Sequence, residues 1–197
     1  MEASRPKAGG GRHGGLWKTP ALITALILPI PMLGMHFVDD WNWAPSAFAV
    51  LGILLFGMGF TYQLITRNRD AIAYRAAVCI AFVTSFTLTW GSFVQMADVT
   101  PVAAMYFAIP VVEIIGAVAA RLQPKGMARA LLATAITQAL VLTAAFIILL
   151  TQKPQLTSWT PPELRGFAGN AVSLGMFLAS AFLFRKAARN ESTPVPA

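Results

Sequence analysis

Ala128–Leu150 reads ARALLATAITQALVLTAAFIILL, 23 residues with one charge, Arg129, near the start. A helix of roughly 20 mostly apolar residues crosses the hydrocarbon core of a bilayer. Five further stretches share this character: Ala21–Val38, Ala47–Ile65, Ala76–Met96, Ala103–Ala120 and Gly166–Phe184. All are continuously apolar, where the strands of a membrane barrel would alternate. The pattern predicts an all-α chain, a polytopic bundle with six membrane-spanning helices.

The composition agrees. The chain is 56% apolar and 12% charged, against about 25% charged in soluble domains. Outside the six stretches the longest pieces are a tail of residues 1–20, the connection Thr151–Arg165 and a tail of residues 185–197. None is large enough to bury a core of its own. One transmembrane domain, residues 21–184, is therefore expected between two cytoplasmic tails. The first tail, basic and glycine-rich, reads as disordered, with a topological role and some attraction to anionic lipid. The first stretch is a poor signal peptide. It is long, lacks a small-residue cleavage site, and runs directly into His36-Phe37-Val38-Asp39-Asp40.

The formal charge is +7, and its distribution predicts orientation. Arg5, Lys7, Arg12 and Lys18 precede the first stretch. Arg67, Arg69 and Arg75 surround the second connection, Arg121, Lys125 and Arg129 the fourth, and Arg185, Lys186 and Arg189 follow the sixth stretch. In a six-pass chain these 13 of the 15 basic residues share one side, leaving Lys153 and Arg165 opposite. Cytoplasmic loops carry the excess of Lys and Arg. Both termini are thus expected in the cytoplasm, with the protein in the cell inner membrane. Basic groups divided among short loops argue against nucleic-acid binding.

Short connections predict antiparallel helix hairpins. Trp41, Trp43, Trp90 and Trp159 fall near outward ends, where indole rings anchor at headgroup level. Pro29, Pro31 and Pro110 predict kinks. Gly52, Gly57, Gly59, Gly116, Ala117, Ala120, Gly126, Gly166, Gly169 and Gly175 mark expected helix contacts, since small side chains let backbones approach. Arg67 and Arg75 bracket one turn and Arg121 and Arg129 another at the same spacing of eight, a faint sign of a duplicated hairpin. Cys79 is the sole cysteine. It excludes an internal disulfide and reads as a buried packing residue.

Chemistry is sparse. Glu113 is the only charge well inside a stretch. At mid-bilayer a charge costs roughly 2.5–3.5 kcal/mol, so it should face the bundle and find a partner. Gln138, at similar depth, is the expected one. Glu113 and Gln138 form either a proton or cation site or a protonated carboxyl acting as interhelical glue. His36, Asp39, Asp40, Asn42 and Trp43 form a possible outer-face site, though their spacing matches no metal-ligand pattern. Arg67, Arg75, Arg121 and Arg129 form basic turns on the inner face. His36 has no intramembrane histidine partner for a bis-histidine haem. Met32 and Met35 beside it read as apolar filler. No phosphate loop, dinucleotide fingerprint, HExxH or nucleophile elbow is present, and Ser85, Ser92 and Ser173 lack a His and an acid at suggestive spacing. No cofactor and no metal site is expected.

Three groups of residues carry a resemblance. The first is Phe37-Val38-Asp39-Asp40-Trp41-Asn42-Trp43 followed by Gly52-Ile53-Leu54-Leu55-Phe56-Gly57. The second is Met105-Tyr106-Phe107, Ile114-Ile115-Gly116-Ala117, and Arg121-Leu122-Gln123-Pro124-Lys125-Gly126-Met127-Ala128-Arg129-Ala130-Leu131. The third is Pro161-Pro162-Glu163-Leu164 and Leu183-Phe184-Arg185-Lys186-Ala187-Ala188-Arg189. Over nearly its whole length the chain resembles a family of bacterial six-helix inner-membrane proteins with no assigned activity. The family pattern tends to have glycine and glutamine where this chain has Glu113 and His36. The resemblance therefore shifts weight toward Asp39, Asn42 and Trp43 and the turn from Arg121 to Arg129. Three function classes follow in order: a non-catalytic membrane protein packing with itself or other membrane subunits, a small transporter or channel using Glu113 and kinked helices, and a membrane enzyme.

Overall fold

The computed structural model describes residues 17–37, 43–67, 69, 71–94 and 101–192. Among them the regular elements are helices, with no strand. They are α1 (Lys18–Ile27), α2 (Pro29–Gly34), α3 (Pro45–Thr66), α4 (Ile72–Val94), α5 (Pro101–Tyr106), α6 (Ala108–Ala119), α7 (Pro124–Gln152) and α8 (Pro161–Ser192), with a 3-10 turn at Leu156–Ser158. Four of these, α3, α4, α7 and α8, are long and apolar enough to cross a membrane.

The first and fourth apolar stretches are each broken in two. Leu28 separates α1 from α2, immediately before Pro29. Phe107 separates α5 from α6, three residues before Pro110. Proline lacks the N–H that would bond four residues back, and its ring presses on that carbonyl. The break caused by Pro110 therefore falls in the preceding turn, not at the proline.

Two compact units make up the chain, Met1–Arg67 and Asn68–Ala197. In the first, α1 packs on α3 at small residues. A Cβ on Gly59 would stand 3.1 Å from Pro20 Cβ, and one on Gly52 would stand 3.4 Å from Leu28 Cδ1. Of the residues of α3, only Leu51 and Thr66 are buried. Val50, Ile53, Phe56, Phe60 and Leu64, three or four apart, form an exposed apolar stripe. The Phe56 and Phe60 rings stack within it, 6.1 Å between centroids.

The second unit is a helical bundle. α7 and α8 run antiparallel: the Phe146 and Phe167 rings meet edge-to-face at 5.8 Å near one end, and Arg129 and Arg185 line one cleft near the other. α4 packs on α8 and α6 packs on α7. Ser85 of α4 and Glu113 of α6, joined by a hydrogen bond, close the ring of four. Buried residues recur at helical spacing on each element. They are Tyr74, Ala77, Val78, Ala81 and Thr84 on α4, Leu131, Thr134, Ala135, Gln138 and Val141 on α7, and Phe177, Ser180, Ala181 and Phe184 on α8. α6 and α7 nearly touch through small residues. A Cβ on Gly116 would lie 2.7 Å from Ala130 Cβ, and one on Gly126 would lie 2.8 Å from Ala120 Cβ.

Several expectations are corrected. Gly57, Gly166, Gly169 and Gly175 have open space where a Cβ would go, so they make no helix contact in this chain. Cys79 is exposed, on the side of α4 away from the buried Tyr74–Ala81 stripe. Trp159 is 7% exposed, held between Phe146 at 5.4 Å and Phe167 at 5.3 Å, with its indole N–H donating to Lys153 O at 3.2 Å. It is a packed ring, not an interfacial anchor. The helix also continues past Phe184 to Ser192, into the expected tail. Good helix formers extend it, and Ala187 and Ala188 are buried.

Candidate functional site

Polar residues gather inside the second unit. Glu113, half-buried on α6, accepts from Ser85 Oγ of α4. The same hydroxyl lies 2.7 Å from Ala81 O. A serine has one hydroxyl proton, which these two acceptors share. Gln138, fully buried on α7, donates through Nε2 to Asn170 O of α8 at 3.0 Å. The expected Glu113–Gln138 pairing is therefore replaced by two separate interhelical bonds, because α4 is the neighbour that reaches Glu113. Gln138 Oε1 and Asn170 Oδ1 are buried without a partner. Such an oxygen costs about 1–3 kcal/mol unless a donor reaches it. Ser180 Oγ of α8 donates to Ala77 O of α4 at 2.7 Å. Ser85, Asn170 and Ser180 were not singled out as partners, although hydroxyl and amide residues inside apolar stretches carry that signal.

At the positions expected on the outer face, His36 is exposed in the turn after α2, and Trp43 packs on Phe48 with centroids 5.6 Å apart. Asp39, Asp40 and Asn42 lie outside the described residues. No three His, Cys, Asp or Glu side chains converge among the described residues. Glu163, in the first turn of α8, ties down the α7–α8 connection. It accepts from Lys153 Nζ at 2.7 Å and from the backbone N–H of Thr160 at 2.6 Å. The second contact is the reciprocal half of a capping box, legible in Thr160-Pro161-Pro162-Glu163. Lys153, then the Thr160 N–H, hold the carboxyl down to about 2.

The basic turns expected on the inner face diverge in role. Arg67 closes α3 in the first unit, and Arg75 is exposed near the start of α4 in the second. Arg121 and Leu122 both take left-handed backbone, φ 48° and 56°. They close α6 with paired bonds: Arg121 N–H to Val118 O at 3.0 Å and Leu122 N–H to Ala117 O at 3.4 Å. This is a Schellman ending, usually built on glycine. The buried Tyr74 of α4 holds the turn, its hydroxyl donating to Leu122 O at 2.9 Å. The ring stands edge-on to Phe184 at 5.2 Å, with Arg69 over its face at 5.2 Å. Arg129 faces a cleft of about 680 Å³ between the start of α7 and the end of α8, where Lys125, Arg185 and Arg189 join it.

Comparison with protein-family models, with curated proteins and with solved structures finds no match.

Proposed function

We propose that this chain is a multi-pass protein of a bacterial inner membrane that acts without catalysis, by packing with itself or with other membrane subunits. All six apolar stretches sit in the bilayer, the broken first and fourth included, and both termini are cytoplasmic. The distribution of Lys and Arg supports that orientation. The exposed stripe of α3 carries the reading. Its stacked Phe56 and Phe60 present aromatic area suited to a neighbouring helix. The test is purification in mild detergent combined with cysteine cross-linking at Ile53 and Phe60. Cross-linked copies, or other membrane chains recovered in fixed ratio, support the reading. A monomer with no cross-linked partner refutes it.

A second reading, a small transporter or channel, is favoured by one observation: Glu113 lies on α6, the short remainder of a stretch broken beside Pro110. Proton- or ion-coupled uptake into liposomes separates the two. Under the packing reading, Glu113→Gln leaves flux unchanged, since the amide oxygen still accepts from Ser85. Flux abolished by that substitution establishes transport instead.

A further inference from the structure

We propose that the cleft between the first turns of α7 and the last turns of α8 binds a phosphoryl group. The proposal stands apart from the packing reading and needs only the bundle of the second unit. Lys125 and Arg129 are four apart on α7, and Arg185 and Arg189 are four apart on α8, so each pair shares a helix face. Because the helices are antiparallel, the two pairs converge on one cavity of about 680 Å³. The side chains of Lys125, Arg129 and Arg185 make no hydrogen bond or ion pair within the described chain, while Arg189 is already engaged. Among the described residues no carboxylate lines the cleft.

The bias of basic residues to one membrane face accounts for the sign of these charges, but not for their convergence. Arg67 and Arg75 obey the same bias and line no part of this cleft. α7 also has no acidic residue in its first turn. Lys125 therefore sits at the positive end of the helix dipole, an unfavourable place for a cation. An anion between Lys125, Arg129 and Arg185 offsets both the repulsion and the dipole. Two of these three are arginines, whose planar forks match phosphate oxygens in pairs.

The position narrows the ligand. Arg129 and Arg185 flank the ends of the apolar stretches Ala128–Leu150 and Gly166–Phe184, which is headgroup level. Leu132, Ala128 and Ala188 provide an apolar wall beside the charges. Basic pockets between membrane helices take the head groups of anionic lipids. A soluble phosphate shares the chemistry but makes no use of that wall.

The test is native mass spectrometry of the full chain in detergent with added cardiolipin, phosphatidylglycerol or phosphatidylcholine, each with and without excess inorganic phosphate. Anionic lipid is expected to be retained at least about tenfold over phosphatidylcholine, and Arg129→Gln/Arg185→Gln to lose about that factor. Arg129→Lys/Arg185→Lys, which keeps the charge and loses the paired donors, is expected to bind between the native chain and the glutamine pair. Arg67→Gln/Arg75→Gln removes equal charge elsewhere and should change retention by less than about threefold. Retention that persists in excess phosphate identifies the lipid as the source. Displacement by phosphate identifies a soluble phosphoryl ligand in the same cleft. Equal losses from the two glutamine pairs, or no preference over phosphatidylcholine, overturns the proposal.

Discussion

Replacing Gly126 by alanine adds one carbon, and the structure fixes where it must go. That carbon would stand 2.8 Å from Ala120 Cβ, 2.9 Å from its Cα and 3.2 Å from its carbonyl oxygen. Ordinary carbon contacts lie at about 3.5–4.0 Å. The obstructing atoms are backbone and Cβ, so no rotamer change relieves them. Either α6 and α7 separate by close to 1 Å, or the left-handed turn between them shifts. Overpacking of this kind costs about 1–3 kcal/mol. Against it stands a helix-propensity gain of at most about 1 kcal/mol, reduced in the first turn of a helix. Gly126→Ala is therefore expected to lower stability by about 1–2 kcal/mol. Gly175→Ala makes the same chemical change where nothing lies within 4 Å, and should raise stability by up to about 1 kcal/mol. Reversible unfolding in mixed micelles, followed by tryptophan fluorescence, reads both. Equal signs for the two substitutions, or a stabilised Gly126→Ala, would refute the close-approach argument.

Tyr74→Phe removes the bond to Leu122 O while leaving the contact with Phe184, and should cost about 1 kcal/mol in the same assay; no loss means the turn holds itself. Ser180→Ala should cost only about 0.5–1 kcal/mol, because Ala77 O keeps its in-helix partner. Ser180→Leu, forced into a fully buried position, should cost about 1–3 kcal/mol, and similar losses from the two would contradict the packing assigned to this site. Glu163 has its carboxyl value lowered in the folded chain from 4.5 to about 2. Its contribution is therefore present above pH 4.5 and fades as pH falls toward 2. Glu163→Gln should flatten that part of an acid-unfolding curve, and an unchanged acid limb would exclude the Lys153 pair as its cause.

The four helices long and apolar enough to cross a membrane were legible because length and continuous apolarity decide them, as in Ala128–Leu150, whereas the first and fourth stretches, shortened by their breaks, fall short of a full span. Which face of each helix turns inward was not legible. Along α7, Leu131 and Val141 are buried while Ile136, Leu140 and Ile147 are exposed. In lipid both kinds of position are apolar, so the contrast that marks a core face in water is missing. Only polar residues betray the inner face, as Thr134 and Gln138 do here, both fully buried. The partner of Glu113 was illegible for a related reason. Depth along the chain points to Gln138, but pairing depends on the spatial order of helices, which connection lengths do not set. Convergence of Arg129 with Arg185 and Arg189 required α8 to continue beyond its apolar run, a matter of helix propensity outside the membrane pattern.

The turn at Arg121 and Leu122 has a consequence for how the chain is assembled. Two consecutive side-chain-bearing residues in left-handed backbone disfavour that shape by roughly 1–2 kcal/mol each, so the hairpin of α6 and α7 does not prefer its final bend in isolation. Tyr74 belongs to α4 and leaves the ribosome before the bend is made. An earlier-made helix thus carries the hydroxyl that the later bend needs as its clasp.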